Sequence, residues 1–189
     1  MEYIAVAIVA ALVFGVCFLV DKGFTKVFRS QAQHMSGRAV RLSKRYGSIG
    51  LIVAVIGVAA IFTGLGSGLA LIIGGALMTL MGIGLVVYYM SYAVFYDADG
   101  FIFTTIGKKS KTYSYGDIRQ QQLYNNQGHL LIELHMADGD TVQLQSTMEG
   151  CFAFMDHAFE GWLRQTGADK ESCDFYDPAN SCWFPPVEV

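Results

Sequence analysis

The sequence predicts a membrane anchor of three transmembrane α-helices followed by an α+β cytoplasmic domain, in which an antiparallel half-barrel is closed by a C-terminal helix. Three observations carry that prediction. Residues 4–20, 48–64 and 69–87 are apolar runs that contain no Lys, Arg, Asp or Glu. All seven basic residues of the first 95 positions, Lys22, Lys26, Arg29, Arg38, Arg41, Lys44 and Arg45, lie between the first and second runs. Beyond Tyr92 the apolar residues alternate with a period of two, and a helical period returns only after Thr147.

The two halves also differ in charge. Residues 1–95 hold those seven cations against Glu2 and Asp21, a net +5, whereas residues 96–189 hold six cations against fourteen acids, a net −8. An acidic second half without a basic stripe argues against nucleic acid as a partner, because phosphates reward Lys and Arg on the bound face.

Each apolar run, with its flanking residues, is long enough to cross roughly 30 Å of hydrocarbon at about 1.5 Å per residue. The first starts with Met1-Glu2-Tyr3 and ends with Phe18-Leu19-Val20-Asp21-Lys22. It lacks both the basic start and the small-residue cleavage site of a secretory signal, so it reads as an uncleaved anchor. The loop 21–47 concentrates the cations and is assigned to the cytoplasm by the positive-inside bias. Alternation then puts the N-terminus and the turn 63–68 outside and everything after the third helix in the cytoplasm. Tyr88, Tyr89, Tyr92 and Tyr96 fall at the inner interface, where amphipathic rings prefer to sit. The expected location is a plasma or inner membrane, multi-pass, with the lipid bilayer itself the first partner.

Within the basic loop, Phe24, Val27, Phe28, Gln31 and Met35 recur at helical spacing. Two readings stay open: a connector whose charges set topology, and a segment lying flat on the inner leaflet. Thr63-Gly64-Leu65-Gly66-Ser67-Gly68 joins the second and third runs and allows only a tight antiparallel hairpin. Gly50, Ala54, Gly57, Ala70, Gly74, Gly75, Gly82 and Gly84 give both helices small faces, for packing within the hairpin or for a homo-oligomer through the face left over. With no ionisable residue in any run, and only Cys17 and Thr79 adding polarity near mid-membrane, the helices resemble an anchor rather than a transporter, pump or channel.

In the domain 92–167, Tyr92, Val94 and Tyr96 alternate with Ala93, Phe95 and Asp97. Asp99-Gly100 then turns the chain into an extended run over 101–106, which makes a β-hairpin. A basic turn at 107–110, a strand at 111–115 and an irregular end over 115–118 follow. Strands at 120–124, 129–136 and 141–145 come next, separated by turns at 125–128 and Asp138-Gly139. A helix over about 148–165 places Phe152, Met155, Phe159, Trp162 and Leu163 on one stripe, with Ser146 or Thr147 as N-cap and Gly167 as terminator. One amphipathic helix after a run of antiparallel strands needs a sheet to cover.

This order of elements resembles the bacterial pleckstrin-homology-like (bacterial PH) domain found attached to membrane helices in proteins of uncharacterised function. The residues that carry the resemblance are Asp99-Gly100-Phe101-Ile102, the turn at Lys108-Lys109, Tyr113-Ser114-Tyr115-Gly116-Asp117-Ile118, Asp138-Gly139, and Phe152 and Phe159, within about 40% of the chain. The resemblance implies a binding or scaffold module, since that fold has no shared catalytic apparatus. It also implies that a lipid headgroup would meet a basic cluster in an early hairpin, where Lys108, Lys109 and Lys111 are the candidates. The alternative is that these three are solvated turn lysines.

The tail, 168–189, holds Phe175, Tyr176, Trp183 and Phe184 before Pro185-Pro186, too many aromatics for a solvated coil. It folds back on its own domain, or it docks a protein partner with those four aromatics as anchors. For chemistry the sequence is poor. His34, His129, His135 and His157 lack a nearby nucleophile, and Cys173 and Cys182 lie too far apart for zinc-ligand spacing, so no catalytic residue, metal or cofactor is assigned. The expected function is a non-enzymatic membrane protein that presents its cytoplasmic domain to a protein partner. The alternatives are a lipid-headgroup sensor, and an enzyme or small transporter whose site forms only in the tertiary structure.

Overall fold

In the computed structural model, residues 38–105, 110–126 and 128–188 are described, together with Gly15, Lys26 and residues 18–20 and 22–24. The chain divides into two compact units, one from residues 1–29 and 42–92, the other from 30–41 and 93–189.

The first unit is dominated by two apolar helices. Helix α1, Lys44–Ser67, starts at Ser43, whose hydroxyl accepts from the Arg45 amide, and α2, Leu69–Tyr89, follows after Gly68 alone. Their mean hydropathies, 2.5 and 2.3, and their lengths of 23 and 21 residues over the apolar stretch suit a membrane span. The six-residue turn expected at 63–68 shrinks to one residue, because the helix keeps its backbone bonded as far as Ser67 and Gly68 reverses the chain at φ 130°. Where no water can satisfy the backbone, that economy is favoured. The Thr63 and Thr79 hydroxyls likewise donate to carbonyls of their own helix, Thr79 to Gly75 at 2.8 Å.

Gly50, Gly57, Gly75 and Gly82 lie where the two helices touch, whereas Gly74 and Gly84 face open space. A Cβ on Gly57 would stand 2.5 Å from the Thr79 amide, and one on Gly82 would stand 2.4 Å from the Ala54 amide. Close backbone approach of this kind is what small residues provide in lipid. Outward faces carry Ile49, Val55, Phe62, Leu65, Leu80 and Met81, all exposed. The first apolar run falls mostly outside the described residues; its helical stretch 18–20 leads to Val20 and Phe24, both buried, with the Phe24 ring 5.6 Å from that of Tyr89.

The second unit contains two antiparallel sheets and a helix. Strands β1 (Arg38–Arg41), β2 (Tyr92–Tyr96), β3 (Gly100–Thr105) and β4 (Lys111–Ser114) form one sheet in that order. A single 3-10 turn, Tyr115–Asp117, leads into the second sheet of β5 (Ile118–Asn126), β6 (His129–Met136) and β7 (Thr141–Gln145). Helix α3, Cys151–Thr166, follows. Val40, Val94, Phe101, Tyr115, Ile132, Leu134, Val142, Leu144, Phe154, Met155 and Ala158 are fully buried between these elements.

Three departures from the sequence reading matter. Residues 38–41, assigned to the basic connector, are a strand paired with β2 in the register Arg38↔Tyr96 to Arg41↔Ala93. The whole helical pair is therefore an insertion between two neighbouring strands of one sheet. Tyr96, expected at the lipid interface, is 5% exposed and packs edge-on against Phe154 at 5.2 Å. Helix α3 starts at Gly150 (φ 83°) rather than at Ser146 or Thr147; a Cβ there would approach the Ala39 carbonyl to 3.0 Å, so β1 passes where a side chain would stand. Phe152, expected on the apolar stripe, faces out at 45% exposure, and Phe154 and Ala158 join Met155 and Phe159 on the buried face.

Candidate functional site

The tail is built into the second sheet through one residue. Gln121 lies at an inward position of β5 and is the one polar side chain buried among the described residues, at 4% exposure. Its backbone amide donates to the Pro185 carbonyl at 2.7 Å, and its carbonyl accepts from the Val187 amide at 3.3 Å, a parallel bridge. Its side-chain Nε2 donates to the Ser181 carbonyl at 2.7 Å, while Oε1 accepts from the Trp183 and Phe184 amides, both at 3.1 Å. A buried amide needs every one of these partners, and it takes all of them from the tail backbone.

Side chains complete the docking. The Trp183 indole donates to Asp156 Oδ1 at 2.8 Å, and Trp162 donates to the Ile118 carbonyl at 3.1 Å. Phe159 stacks on Tyr176 at 4.6 Å and meets Phe175 and Phe184 edge-on. Lys170 caps the Tyr176 ring at 4.5 Å, a cation over an aromatic face. Of the four aromatics assigned to partner docking, Trp183 and Phe184 are thus buried at 1% exposure in their own domain, and Phe175 and Tyr176 are half-buried.

Beside the tail, a cleft of about 470 Å³ opens along β5. Leu123, Phe175, Phe184, Pro186 and Val187 make its apolar wall, Gln122, Asn180 and Cys182 add polar atoms, and Asp174 and Asp177 supply the only charges among the described residues that line it. Asp177 is engaged locally, accepting from the Ala179 and Asn180 amides as it caps the turn Pro178–Asn180. Asp174 is exposed at the rim.

The other residues singled out from the sequence are placed as follows. Lys108 and Lys109 lie outside the described residues. The Lys111 ammonium bonds Asp138 at 3.1 Å and also Asp140, while the Tyr113 hydroxyl donates to Asp140 at 2.9 Å. These hydrogen bonds hold the Lys111 pKa above its ordinary value, and burial with the Asp140 bond pushes Tyr113 up to about 12. Backbone donation from Asp140, and then Lys111, keeps Asp138 below the usual carboxylate range. The candidate lipid lysine is in this way neutralised by two carboxylates.

His157 belongs to a different assembly. Its Nε2 lies 2.8 Å from the Asp97 carbonyl and donates to it, and the Tyr115 hydroxyl donates to the same oxygen at 2.6 Å. Arg164 and Gln165 bind the next two carbonyls, those of Ala98 and Asp99, each at 2.9 Å. Helix α3 thereby grips the β2–β3 turn. Cys151 is buried, and Cys173 and Cys182 are half-buried, each sulfur donating to a nearby carbonyl, of Asp169 and Asn180. Burial, then neighbouring aspartates, raises both half-buried thiols. Among the described residues no group of three His, Cys, Asp or Glu side chains is placed to hold a metal.

Sequence reasoning passed over Gln121. The sequence did not single it out, since it is the middle of three consecutive glutamines, Gln120 to Gln122, in a strand with a register shift between Ile118 and Gln120, and only the fold turns it inward. Such a residue asks for a partner that the strand itself does not supply.

The arrangement defines a class: an apolar helix pair inserted into an antiparallel two-sheet domain whose tail and β5 frame a cleft. Compared with family models, curated proteins and solved structures, the chain finds no match.

Proposed function

We propose that this chain is a non-enzymatic, multi-pass protein of a plasma or inner membrane that presents a bacterial PH-like domain to a protein partner in the cytoplasm. The observation that carries this reading is the pairing Arg41↔Ala93, which makes the helical pair an insertion within the domain rather than a leader before it. Paired strands bring both ends of the hairpin to one side, as a membrane hairpin requires, and the cations from Lys22 to Arg45 mark that side as cytoplasmic. Four strands, three strands and a closing helix agree with the PH-like resemblance.

The β5 cleft supports partner binding, being concave and mostly apolar with a few polar groups. A lipid-sensing alternative has less support, since Lys111 is bound to Asp138 and Asp140.

The test has two parts. In intact cells, an impermeant maleimide is expected to leave Cys173 and Cys182 unlabelled until the membrane is permeabilised, and carbonate washing is expected to leave the protein in the membrane. A photoreactive residue in place of exposed Tyr124 is expected to yield one discrete protein adduct. Labelling in intact cells would reverse the topology, and the absence of an adduct would remove the partner.

A further inference from the structure

We infer that the β5 cleft takes an extended, apolar and basic polypeptide segment of the partner, added as a strand to the open edge of β5 beyond Gln121. The inference rests on the binding-domain reading and specifies its ligand.

The backbone argument starts from Gln121. Its N–H and C=O bond the tail, so they point away from β6. In an antiparallel pair these directions alternate with a period of two, and the pairing runs unbroken from Gln120↔His135 to Asn126↔His129. Leu123 and Asn125 therefore also turn their N–H and C=O outward. Among the described residues the tail bridges β5 at Gln121 alone, and Leu123 lines the cleft. An unpaired strand edge next to a cavity is the geometry of strand addition: main-chain bonds supply affinity, and alternate side chains enter the pocket.

Side-chain chemistry sets the specificity. Leu123, Phe175, Phe184, Pro186 and Val187 give the cleft an apolar wall that suits one aliphatic side chain. Among the described residues the lining has no Lys, Arg or His, and the exposed Asp174 carboxylate stands at its rim in a half-chain of net charge −8. A segment alternating aliphatic and cationic residues matches both features, whereas an acidic segment would meet like charge.

The experiment uses full-length protein in neutral detergent micelles and a fluorescein-labelled hexapeptide of alternating Val and Lys, read by anisotropy. Saturable, salt-sensitive binding is expected. Asp174→Lys should weaken it at least tenfold, and Leu123→Pro, which deletes the outward N–H while keeping the β5–β6 ladder, should do the same. Should Leu123→Pro fail to fold, the exposed Asp174→Lys change still decides the matter. A Val/Glu hexapeptide that binds equally well, indifference to Asp174→Lys, or no binding at all would overturn the inference. If the adduct from position 124 persists in any of these cases, the binding-domain reading stands while this inference falls. Loss of the adduct with peptide binding intact would instead remove the protein partner, and with it the inference, while leaving the cleft with an affinity for basic strands.

Discussion

Gln121 and Trp183, 62 residues apart, are joined by the Gln121 Oε1 bond to the Trp183 amide at 3.1 Å, one of five hydrogen bonds that commit Gln121 to the tail. The tail thus closes the domain as an integral part of its core, and its last aromatic pair is spent there.

Gln121→Leu keeps the size of the side chain but leaves the Trp183 and Phe184 amides and the Ser181 carbonyl without it. A buried unsatisfied group costs about 1–3 kcal/mol, so a loss of about 2–4 kcal/mol in urea unfolding is expected. The Trp fluorescence should shift to the red as the tail loosens. A change under about 0.5 kcal/mol, the range of a neutral surface substitution, would show that the tail is held by its aromatics alone.

Gly161→Ala should reverse the usual sign. Alanine in a helix interior is normally better than glycine by about 0.8–1 kcal/mol. At 161, however, the new Cβ would lie 2.3 Å from the Tyr115 ring, which is fully buried and tethered through its hydroxyl to the Asp97 carbonyl. Overpacking of this kind costs about 1–3 kcal/mol, and a melting curve that moves upward would contradict the contact.

Two glycines of α2 should separate cleanly. Gly82→Leu places a side chain against the Ala54 backbone, whereas a Cβ on Gly84 meets nothing within 4 Å. Heating in detergent should scatter the Gly82→Leu protein at lower temperature and leave Gly84→Leu like the parent. Equal behaviour would mean that the hairpin interface lies elsewhere.

Burial pushes the Cys151 thiol up to about 12 from 9.0. The native fold thus prefers the neutral thiol, so this contribution is complete below pH 9 and is lost as the pH rises toward 12, by at most about 1.4 kcal/mol per pH unit. Stability measured from pH 8 to 11 should fall less steeply for Cys151→Ala than for the parent. Parallel curves would show that the thiol is not excluded from water.

Much of this architecture was legible locally. The helices α1 and α2 declare themselves by length and by the absence of charge, and β6 and β7 fall at 129–136 and 141–145, where alternation placed them. The strand β1 was not legible: Arg38-Ala39-Val40-Arg41 is too short to show a period, and its partner lies some fifty residues on, beyond two helices. For the site, the aromatic tail was visible as material that must bury surface, but not the residue that receives it. Glutamine in a strand carries no sign of the segment that will satisfy it.

By itself, then, the sequence determined the apolar helices, the sheet-forming alternation and the charge asymmetry, because each depends on neighbours within a turn or a strand. Only the tertiary structure decided that the helical pair interrupts a sheet, that Lys111 is spent on Asp138 and Asp140, and that Gln121 fastens the tail beside an open edge of β5. These are pairings of distant groups, and their partners are set by packing rather than by spacing.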